Sequence, residues 1–481
     1  MAGSVNTTPG FNLQPSAERV PVATNYITNF DFLNQYLPDT YEKEFERYGN
    51  RTVAGFMRMV GAEMPTNSDL IKWAEQGRLH TKYTSVAANG AITDDVASFT
   101  VNDLLVPAGT VTTGGTGGIA IRIGQTVFIT ANNGTGSNKA VVTLVDYVAS
   151  TFTVAFYEGA GQAMAVGVDC TVMIYGSEFK KGTNGMVESL EADDFIFENK
   201  PIILKDKYAV SGSDMAQIGW IEVTTENGAN GYLWYMKSEH ETRLRFDDYL
   251  ETAMIEAVPA ELNSGAAAAL GNGAAAGAQG AGSEGVFYAV QNRGNLWSGG
   301  IPAALADFDA IISRLDKQGS IEENVIFVDR DFSFAIDDML AAQNSYGAGG
   351  TSYGLFDNDE QMALNLGFTG FRRGYDFYKS DWKYLNDPTM RGDLPSGGIN
   401  GLLVPAGSTT VYDQVLGKNA KRPFLHVRYR ASETEDRRYK TWITGSAGGA
   451  ATSDLDAMEV NYLSERAVCV LGANNFFLFT D

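Results

Sequence analysis

The residue types that most often carry catalysis or bind metals are sparse in this sequence and lie far apart. Its three histidines are His80, His240 and His426, among 481 residues. None has the spacing of a metal-binding pair, and His240-Glu241 lacks the second histidine of a zinc-protease motif. The histidines therefore predict neither a metal site nor a histidine-based catalytic site.

Adjacent carboxylates are the other candidates for acid–base chemistry. Neighbouring residues point in different directions, so such a pair does not by itself place a general acid and a general base around a substrate. In a chain with 58 acidic residues, pairs of this kind are expected. They are Asp94–Asp95, Asp193–Asp194, Asp247–Asp248 and Asp337–Asp338.

Two further motifs indicate structure rather than chemistry. Gly134–Lys139 is similar to a phosphate-binding loop, but it lacks the Gly-Lys-Ser/Thr ending and follows no strand–helix unit, so we interpret it as a turn. Cys170 and Cys469 form neither a disulfide framework nor a metal cluster, and no serine or cysteine lies in a nucleophile elbow. We therefore predict no catalytic residue, no cofactor and no metal, and a protein that is not an enzyme.

The net charge of the chain argues against one class of partner, nucleic acid. With 36 basic and 58 acidic side chains the net charge is −22, which repels nucleic acid on average. The chain could still face packed DNA without gripping it. Met1–Val22 has no apolar core of a signal peptide, and no run of about 20 apolar residues occurs, so we expect a soluble product, made in a cytoplasm, with no membrane span.

One long amphipathic helix is predicted over Gly231–Val258. Its apolar residues recur at spacings of three and four, its other face is charged, and Pro259 follows its end. At about 1.5 Å per residue it would be as long as a small domain. It could be an ordinary core helix, or a strut to which flanking β structure attaches.

The stretch Ala91–Tyr175 changes character to short strands and glycine turns. Six strands within some eighty residues are typical of a small barrel or sandwich, which we interpret as an inserted domain. The predicted strands are Val96–Val101, Ile119–Ile123, Thr126–Thr130, Lys139–Val145, Phe152–Tyr157 and Thr171–Tyr175.

The rest of the chain predicts arms, helices and strands. Met1–Val22 is a polar arm that could not fold alone, and the almost pure Ala/Gly stretch Gly265–Gly285 is expected to be a mobile loop. Helical spacing runs through Tyr26–Met64, and Thr66–Asp69 is expected to cap a short helix through Ala74. Further expected elements are an exposed β arm at Ser177–Asn199, a strand at Lys200–Ser211, a helical turn at Asp214–Trp220, helices at Pro302–Asp316 and Asp331–Gln343, strands at Asn324–Val328 and within Leu366–Lys379, a hairpin of Arg422–Arg430 with Arg437–Ile443, and closing strands at Val468–Leu471 and Asn474–Phe479.

The order of these elements resembles the major capsid proteins of tailed phages, which have the Hong Kong 97-type fold. The resemblance is carried by Lys205–Ser213 before the long helix, by Arg245–Ile255 at the helix end, by the helix–strand–helix of Ile301–Leu340 and by the closing Val468–Phe479. The length and the aromatic ending are most like those of crAss-like phages. The resemblance implies an α+β fold with an N-terminal arm, an extended arm called the E-loop, and peripheral and axial domains, plus the inserted all-β domain.

The resemblance also divides the chain. It implies an N-terminal arm at 1–50, a helical segment and the start of the E-loop at 51–90, and the inserted β domain at 91–176. The E-loop would return at 177–200, followed by the peripheral domain with its spine helix at 201–262. The axial domain with the Ala/Gly loop would occupy 263–400, and the returning strands 401–481.

A major capsid protein of this kind assembles with itself into hexamers and pentamers of an icosahedral shell around double-stranded DNA. Portal, scaffold and decoration or head-fibre proteins are the further partners implied, and the virion is the implied location. Basic residues near the C-terminus could instead form a weak nucleic-acid patch, although pairs between subunits are at least as well supported. The candidate inter-subunit contacts are Phe179, Lys180, Lys181, Phe195, Phe197, Trp234, Arg243, Arg245, Arg372, Arg373, Arg428, Arg430, Arg437 and Arg438.

A different class of function stays open. The β-rich stretch Ala91–Tyr175 is also compatible with a glycan-binding or depolymerase-type virion component. That hypothesis predicts a cleft with convergent carboxylates or aromatic residues, whereas a shell protein predicts large overlapping interfaces.

Overall fold

A computed structural model shows a strand-rich α+β fold. It describes residues 63–76, 80, 82–89, 95–102, 119–134, 136–158, 169–187, 194–216, 223–224, 230–231, 234–261, 264–270, 281–319, 321–344, 370–392, 394, 397–413, 418–447 and 452–480. The strands, in chain order, are β1 (Glu63–Thr66), β2 (Ile71–Gln76), β3 (Lys82–Ala88), β4 (Val96–Val101), β5 (Gln125–Ala131), β6 (Ser137–Asp146), β7 (Thr151–Phe156), β8 (Asp169–Ser177), β9 (Asp194–Asn199), β10 (Ile202–Ser211), β11 (Val223–Thr224), β12 (Asn230–Gly231), β13 (Asn295–Trp297), β14 (Glu323–Val328), β15 (Gly370–Arg373), β16 (Tyr375–Asp381), β17 (Ile399–Pro405), β18 (Ser408–Asp413), β19 (Lys418–Pro423), β20 (Leu425–Arg430), β21 (Lys440–Gly445), β22 (Ala457–Val470) and β23 (Phe477–Thr480).

The described helices are fewer and mostly short. The long helix forms over Trp234–Glu256, inside the predicted Gly231–Val258, and the helices expected at Pro302–Asp316 and Asp331–Gln343 form with shifted ends. In chain order they are α1 (Gly212–Met215), α2 (Trp234–Glu256), α3 (Gly265–Ala269), α4 (Val286–Arg293), α5 (Leu305–Gln318), α6 (Arg330–Asn344) and α7 (Lys383–Asn386), with a 3₁₀ turn at Ala473–Asn475.

The chain divides into two compact units. One is Trp73–Phe197, and the other combines Met1–Lys72 with Glu198–Asp481. The smaller unit is a closed barrel of six antiparallel strands in the order β3-β4-β7-β6-β5-β8. Every second side chain along the strands points inward, and the rings of Phe99 and Phe152 stack in the core with centroids 5.4 Å apart. The barrel unit therefore has its own hydrophobic core.

Five of the six strands expected in this barrel form, and one prediction is wrong. Ile119–Ile123 is not a strand, although Ile119 and Ile121 are buried in the barrel core. The sixth strand is β3, whose small residues give a weaker strand signal. The alternation of apolar residues predicted the burial of Ile119 and Ile121 correctly. A loop that lies along a barrel can insert every second residue into the core, as a strand does.

The short helix expected after Thr66–Asp69 is also wrong, since Ile71–Gln76 is strand β2. The polar residues there make a local turn: Ser68 Oγ accepts a hydrogen bond from Leu70 N at 3.3 Å. Ser and Thr hydroxyls satisfy backbone groups in turns as well as at helix starts, so the capping residues did not distinguish the two.

The larger unit contains a five-stranded sheet on which helix α2 packs. Its order is β1-β20-β22-β10, with β21 also paired to β22. The expected hairpin of Arg422–Arg430 with Arg437–Ile443 forms only at its turn, where Ala431 and Asp436 make an antiparallel bridge and Arg437 N donates to Arg430 O at 2.9 Å. Strand β20 pairs with the C-terminal half of the long strand β22, and β21 pairs with its N-terminal half. A strand of 14 residues has room for two short partners along one edge.

The second sheet of this unit is buried on both faces. Its order is β13-β23-β17-β14-β16-β15. Helices α5 and α6 cover one face, where they pack on Ile326 and Val328, and α4 and α7 lie in the cluster around Phe327 on the other. The near-continuous apolar sequence of β14 follows from this two-sided burial.

Several expectations concern the arms and the Ala/Gly stretch. The N-terminal arm lies outside the described residues, and so does the Tyr26–Met64 helix except at its end, where Glu63 and Met64 are in strand β1. Within Gly265–Gly285, residues 265–269 are helical, with Ser264 Oγ accepting from Ala267 N at 3.2 Å, because alanine has the highest helix propensity. Residues 271–280 lie outside the description. None of the described helices has the length and apolar character that crossing a membrane requires.

Candidate functional site

Among the described residues, the side chains that most often catalyse reactions or bind metals are not clustered. Among the described residues, no group of three or more His, Cys, Asp or Glu side chains could hold a metal ion. His426 is buried, and its Nδ1 lies 3.2 Å from Pro423 O. Cys170 and Cys469 are buried in different units and form no disulfide, and burial, with the charge of Asp169, raises the pKa of the Cys170 thiol. Their placement is that of core residues.

A cavity of about 260 Å³ lies between strands β14 and β17 and the start of β20. Side chains such as Phe327, Val404 and Leu425 line it, and none of the described residues that line it is ionisable. Such a lining can hold an apolar group but offers no acid, base or nucleophile.

Helix α2 buries one face on the five-stranded sheet and exposes the face that carries two of the predicted contact residues. Phe246 packs on Tyr439 and Tyr462, with ring centroids 5.4 and 5.7 Å apart. Arg243 and Arg245 lie on the exposed side. Trp234 is the first residue of α2, and its side chain lies outside the description.

The predicted arginines near the C-terminus make ion pairs within the chain, and these pairs hold strand β1. Arg430 pairs with Asp69 at 2.5 Å, and Arg438 with Glu63 at 2.5 Å. Arg437 pairs with Glu465 of β22 at 2.7 Å. Half-exposed pairs contribute little individually, but together they fix β1 on the parallel edge of β20.

Sequence reasoning missed Arg466, the most buried member of this network. It lies 3.5 Å from Glu63 and donates to Ser464 Oγ at 3.0 Å and to Arg438 O at 3.0 Å. Burial lowers the pKa of its guanidinium, and Glu63 opposes that change. The interruption of an apolar strand by one arginine is the signal that could have marked it.

Of the remaining predicted arginines, Arg372 and Arg373 lie on the edge strand β15, whereas Arg428 lies on an interior strand. Arg428 is half-buried on β20, opposite Met64 in the register. Arg372 pairs with Asp376 at 3.1 Å, and Arg373 Nη2 donates to Asp309 at 2.7 Å. Their role at a neighbouring subunit stays a prediction.

Phe179, Lys180 and Lys181 belong to a turn after barrel strand β8. Gly124, just before β5, has φ +87°, and a Cβ there would lie 2.5 Å from the Phe179 ring. Glycine therefore lets the Phe179 ring pack on the backbone at position 124. Thr183 Oγ1 donates to Lys180 O at 2.7 Å, which closes the turn. Both lysines are exposed.

Strands β2 and β9 form a two-stranded ribbon, and it carries the largest exposed apolar side chains of the predicted contact set. Phe195 is 59% exposed and its neighbour Ile196 is 67% exposed. Trp73 and Phe197 contact each other, with ring centroids 6.3 Å apart. Successive residues of a strand point to opposite faces, so the ribbon exposes apolar groups on both faces.

Asn199, at the end of β9, is a further residue that sequence reasoning missed. It is buried, and its Nδ2 donates to Val468 O at 2.6 Å and to Glu284 O at 2.9 Å. Its Oδ1 accepts from Ser283 Oγ at 3.0 Å and from the Glu284 and Lys200 amides at 2.8 Å each. The amide thus joins three segments where the ribbon meets strand β10.

Comparison with known proteins gives similarities of structure alone. No protein-family model matches the sequence, and no curated protein matches it. A chain of Microbacterium phage Oxtober96 is 11% identical over 94% of this chain and 96% of that chain, with a TM-score of 0.37. The capsid of cyanophage P-SCSP1u is 9% identical over 64% of this chain and 80% of that chain, with a TM-score of 0.33.

The similar structures include two phage capsids and an encapsulin. The encapsulin, from the holo-SrpI complex of Synechococcus elongatus PCC 7942, is 11% identical over 60% of this chain and 77% of that chain, with a TM-score of 0.32. Since all three TM-scores are below 0.5, what this chain does has to be inferred from its own residues.

Proposed function

We propose that the chain is a structural protein that assembles with copies of itself into a closed shell, as the major capsid protein of a tailed phage. Hexamers and pentamers would tile an icosahedral shell around double-stranded DNA. The observation that carries this proposal is the ribbon β2–β9, whose strand β9 exposes Phe195 and Ile196 on opposite faces.

An isolated two-stranded ribbon is marginally stable in water, and this one buries Ile71 but leaves Phe195 and Ile196 exposed. Fully burying a Phe or an Ile side chain contributes about 1.5–3 kcal/mol. A neighbouring copy that covers both faces of the ribbon would supply that burial. Each contact is modest, but a closed shell makes many at once, and the linked contacts reinforce one another.

The base of the ribbon is suited to such a role. Asn199 satisfies its donors and acceptor in the body of the larger unit, so the C-terminal end of β9 is held there by side-chain hydrogen bonds. A fixed base reduces the conformational entropy lost when the ribbon binds a partner.

The net charge agrees with a shell that encloses DNA without gripping it. Binding to DNA gains free energy when basic side chains displace counterions from the phosphates. A chain with a net charge of −22 does not do so on average, so packaged DNA would stay mobile against it. Portal, scaffold and decoration or head-fibre partners, and kinship to crAss-like phages, belong to the same proposal and are supported by the sequence resemblance alone.

Size-exclusion chromatography with negative-stain electron microscopy of the full chain tests the proposal. We expect rings or shells from the unaltered chain at high concentration. Phe195→Ser with Ile196→Ser should give a monomer that keeps its thermal midpoint, because both side chains are already exposed. Phe334→Ser, which changes an exposed Phe on helix α6, is the matched control and should assemble.

Two results would contradict the proposal. One is an unaltered chain that stays monomeric at every protein and salt concentration tried. The other is assembly that proceeds equally well with both ribbon substitutions present.

A further inference from the structure

The outer surface of the barrel carries aromatic side chains where a solvated barrel would carry polar ones. Tyr157 is 48% exposed and Tyr175 is 49% exposed, and Met173 is also exposed. Inward-pointing residues already fill the barrel core, so packing inside the barrel does not explain these side chains. With Phe128, Lys139 and Glu178 they form what we call the tyrosine patch.

The strand register places four members of the tyrosine patch in one row. Met173 of β8 is opposite Phe128 of β5, and Phe128 is opposite Lys139 of β6. Tyr157 N donates to Lys139 O at 3.2 Å, which continues the row to the end of β7. Neighbouring strands lie about 4.8 Å apart, so the row extends roughly 14 Å across the outside of the barrel.

Tyr175 lies two residues after Met173 on β8, so it faces the same side of the strand, and it is located at a β-bulge. The register of β5 against β8 shifts between Thr126 and Val127, which pair with Gly176 and Ile174 and leave Tyr175 as the extra residue. The Tyr175 ring lies under Lys139, whose Nζ is 5.9 Å from the ring centroid.

The second tyrosine is held by a hydrogen bond. Tyr157 Oη donates to Glu178 Oε2 at 2.5 Å. Burial, together with this hydrogen bond and the charge of Glu178, raises the pKa of Tyr157 to about 12, so the phenol stays neutral at ordinary pH. Both rings therefore have defined neighbours while they keep about half of their surface in water.

This arrangement selects a class of ligand. A sugar ring has an apolar C–H face and a rim of hydroxyls, and it matches a half-exposed tyrosine, which has an apolar body and a polar tip. Lys139 offers a donor and Glu178 an acceptor for the hydroxyls. Their charges cancel, so the tyrosine patch is neutral in a chain of net −22, which favours a neutral ligand over an anionic or cationic one.

We infer that the tyrosine patch binds an extended neutral polysaccharide laid across strands β8, β5, β6 and β7. The surface is an open row rather than a closed pocket, which suits a chain of sugars better than a single one. A site of this size on one copy binds weakly. A shell would present many copies to one polymer and strengthen binding by avidity, and this strengthening is the part of the inference that rests on the proposed function.

Affinity electrophoresis of the full chain tests this inference. Native gels would contain a β-1,4-glucan, an α-glucan, a xylan or a mannan, each in turn, and mobility would be compared with a gel that lacks polysaccharide. We expect retardation by at least one of the four. Tyr157→Ala with Tyr175→Ala should weaken it about thirtyfold, because two aromatic contacts of about 1 kcal/mol each are lost.

Matched variants separate recognition from folding. Tyr157→Phe with Tyr175→Phe keeps the rings and should retain most of the retardation. Tyr378→Ala removes an exposed tyrosine of the larger unit and should leave retardation unchanged. Circular dichroism and thermal melting check that each variant is folded, and a neutral hexasaccharide should compete with the polymer.

The outcomes separate this inference from the proposed function. No retardation by any of the four polymers overturns the inference, even if micrographs show normal shells. Loss of assembly in the double alanine variant, without sugar binding by the unaltered chain, would instead assign the tyrosine patch to a contact between copies. Retardation of a chain that never assembles would keep the inference and reject the shell.

Discussion

The barrel and the ribbon β2–β9 are both antiparallel β structure, but they treat their apolar residues in opposite ways. In the barrel, strand closure gives every strand two neighbours, and rings such as Phe152 are enclosed. In the ribbon each described strand has one partner, and Phe195 stays in water. The barrel's strand pairing is complete within one chain, whereas the ribbon leaves apolar surface that a partner can cover. Closure, and not the residue type, makes this difference.

The largest expected effect is in the barrel core. Phe152→Ala should destabilise the barrel unit by about 4 kcal/mol, because it removes a fully buried ring and leaves a cavity beside Phe99. Urea unfolding, with hydrogen exchange of the amides of β4 and β7, measures it. Phe195→Ala in the ribbon is the matched control and should cost less than about 0.5 kcal/mol. Equal costs for the two substitutions would remove the contrast between barrel and ribbon.

A smaller effect is expected at the base of the ribbon. Asn199→Ala should cost about 3 kcal/mol, because it leaves Val468 O and the Glu284 backbone without their buried partners. Asn461→Ala is the control: its Nδ2 makes one half-buried bond, to Thr444 Oγ1 at 3.1 Å, and should cost about 1 kcal/mol or less. Urea midpoints of the larger unit measure both. If Asn199→Ala proved as mild as its control, the base of the ribbon would not depend on this side chain.

The smallest effect is a dependence on alkaline pH that differs between the two units. Burial, followed by the charge of nearby Asp247, raises the pKa of Tyr439 in the larger unit from 10.0 to about 12. The folded state thus keeps the proton longer than the unfolded state. Stability from this group is complete below pH 10 and is lost as the pH rises through about 12.

Tyr439→Phe should therefore flatten the fall of the urea midpoint between pH 9 and pH 11.5. Tyr157→Phe in the barrel should change the profile less, although the pKa of Tyr157 is also about 12, because its half-exposed phenol is screened by water. Identical profiles for the unaltered chain and the Tyr439→Phe variant would show that other groups set the alkaline limit.

Much of the secondary structure could be predicted because its signals are local. The spacing of Phe246, Leu250 and Met254 predicts helix α2, and the alternation in Phe152–Tyr157 predicts a barrel strand. The failures are at places where two structures share one local signal. Thr66–Asp69 suits a turn as well as a helix start, and Ile119 and Ile121 alternate in a loop as they would in a strand.

The candidate site shows the same division. Phe195 could be selected from the sequence as an aromatic residue in an arm, but its exposure depends on which strands pair around it. Asn199 and Arg466 could not be selected, because a buried polar residue is defined by partners that are distant in the chain, such as Val468 and Glu63. No local pattern records those partners.

The sequence by itself determined the class of the protein: acidic, rich in glycine turns and strands, with one long helix and no cluster of catalytic residues. Hydrophobic periodicity and charge are properties of neighbouring residues, so they can be read along the chain. Only the tertiary structure decided that six strands close into a barrel, that β20 and β21 share β22, and that Tyr175 lies close to Lys139 of a different strand. Those outcomes depend on pairing between strands far apart in the chain, and pairing is selected by the packing of the whole core.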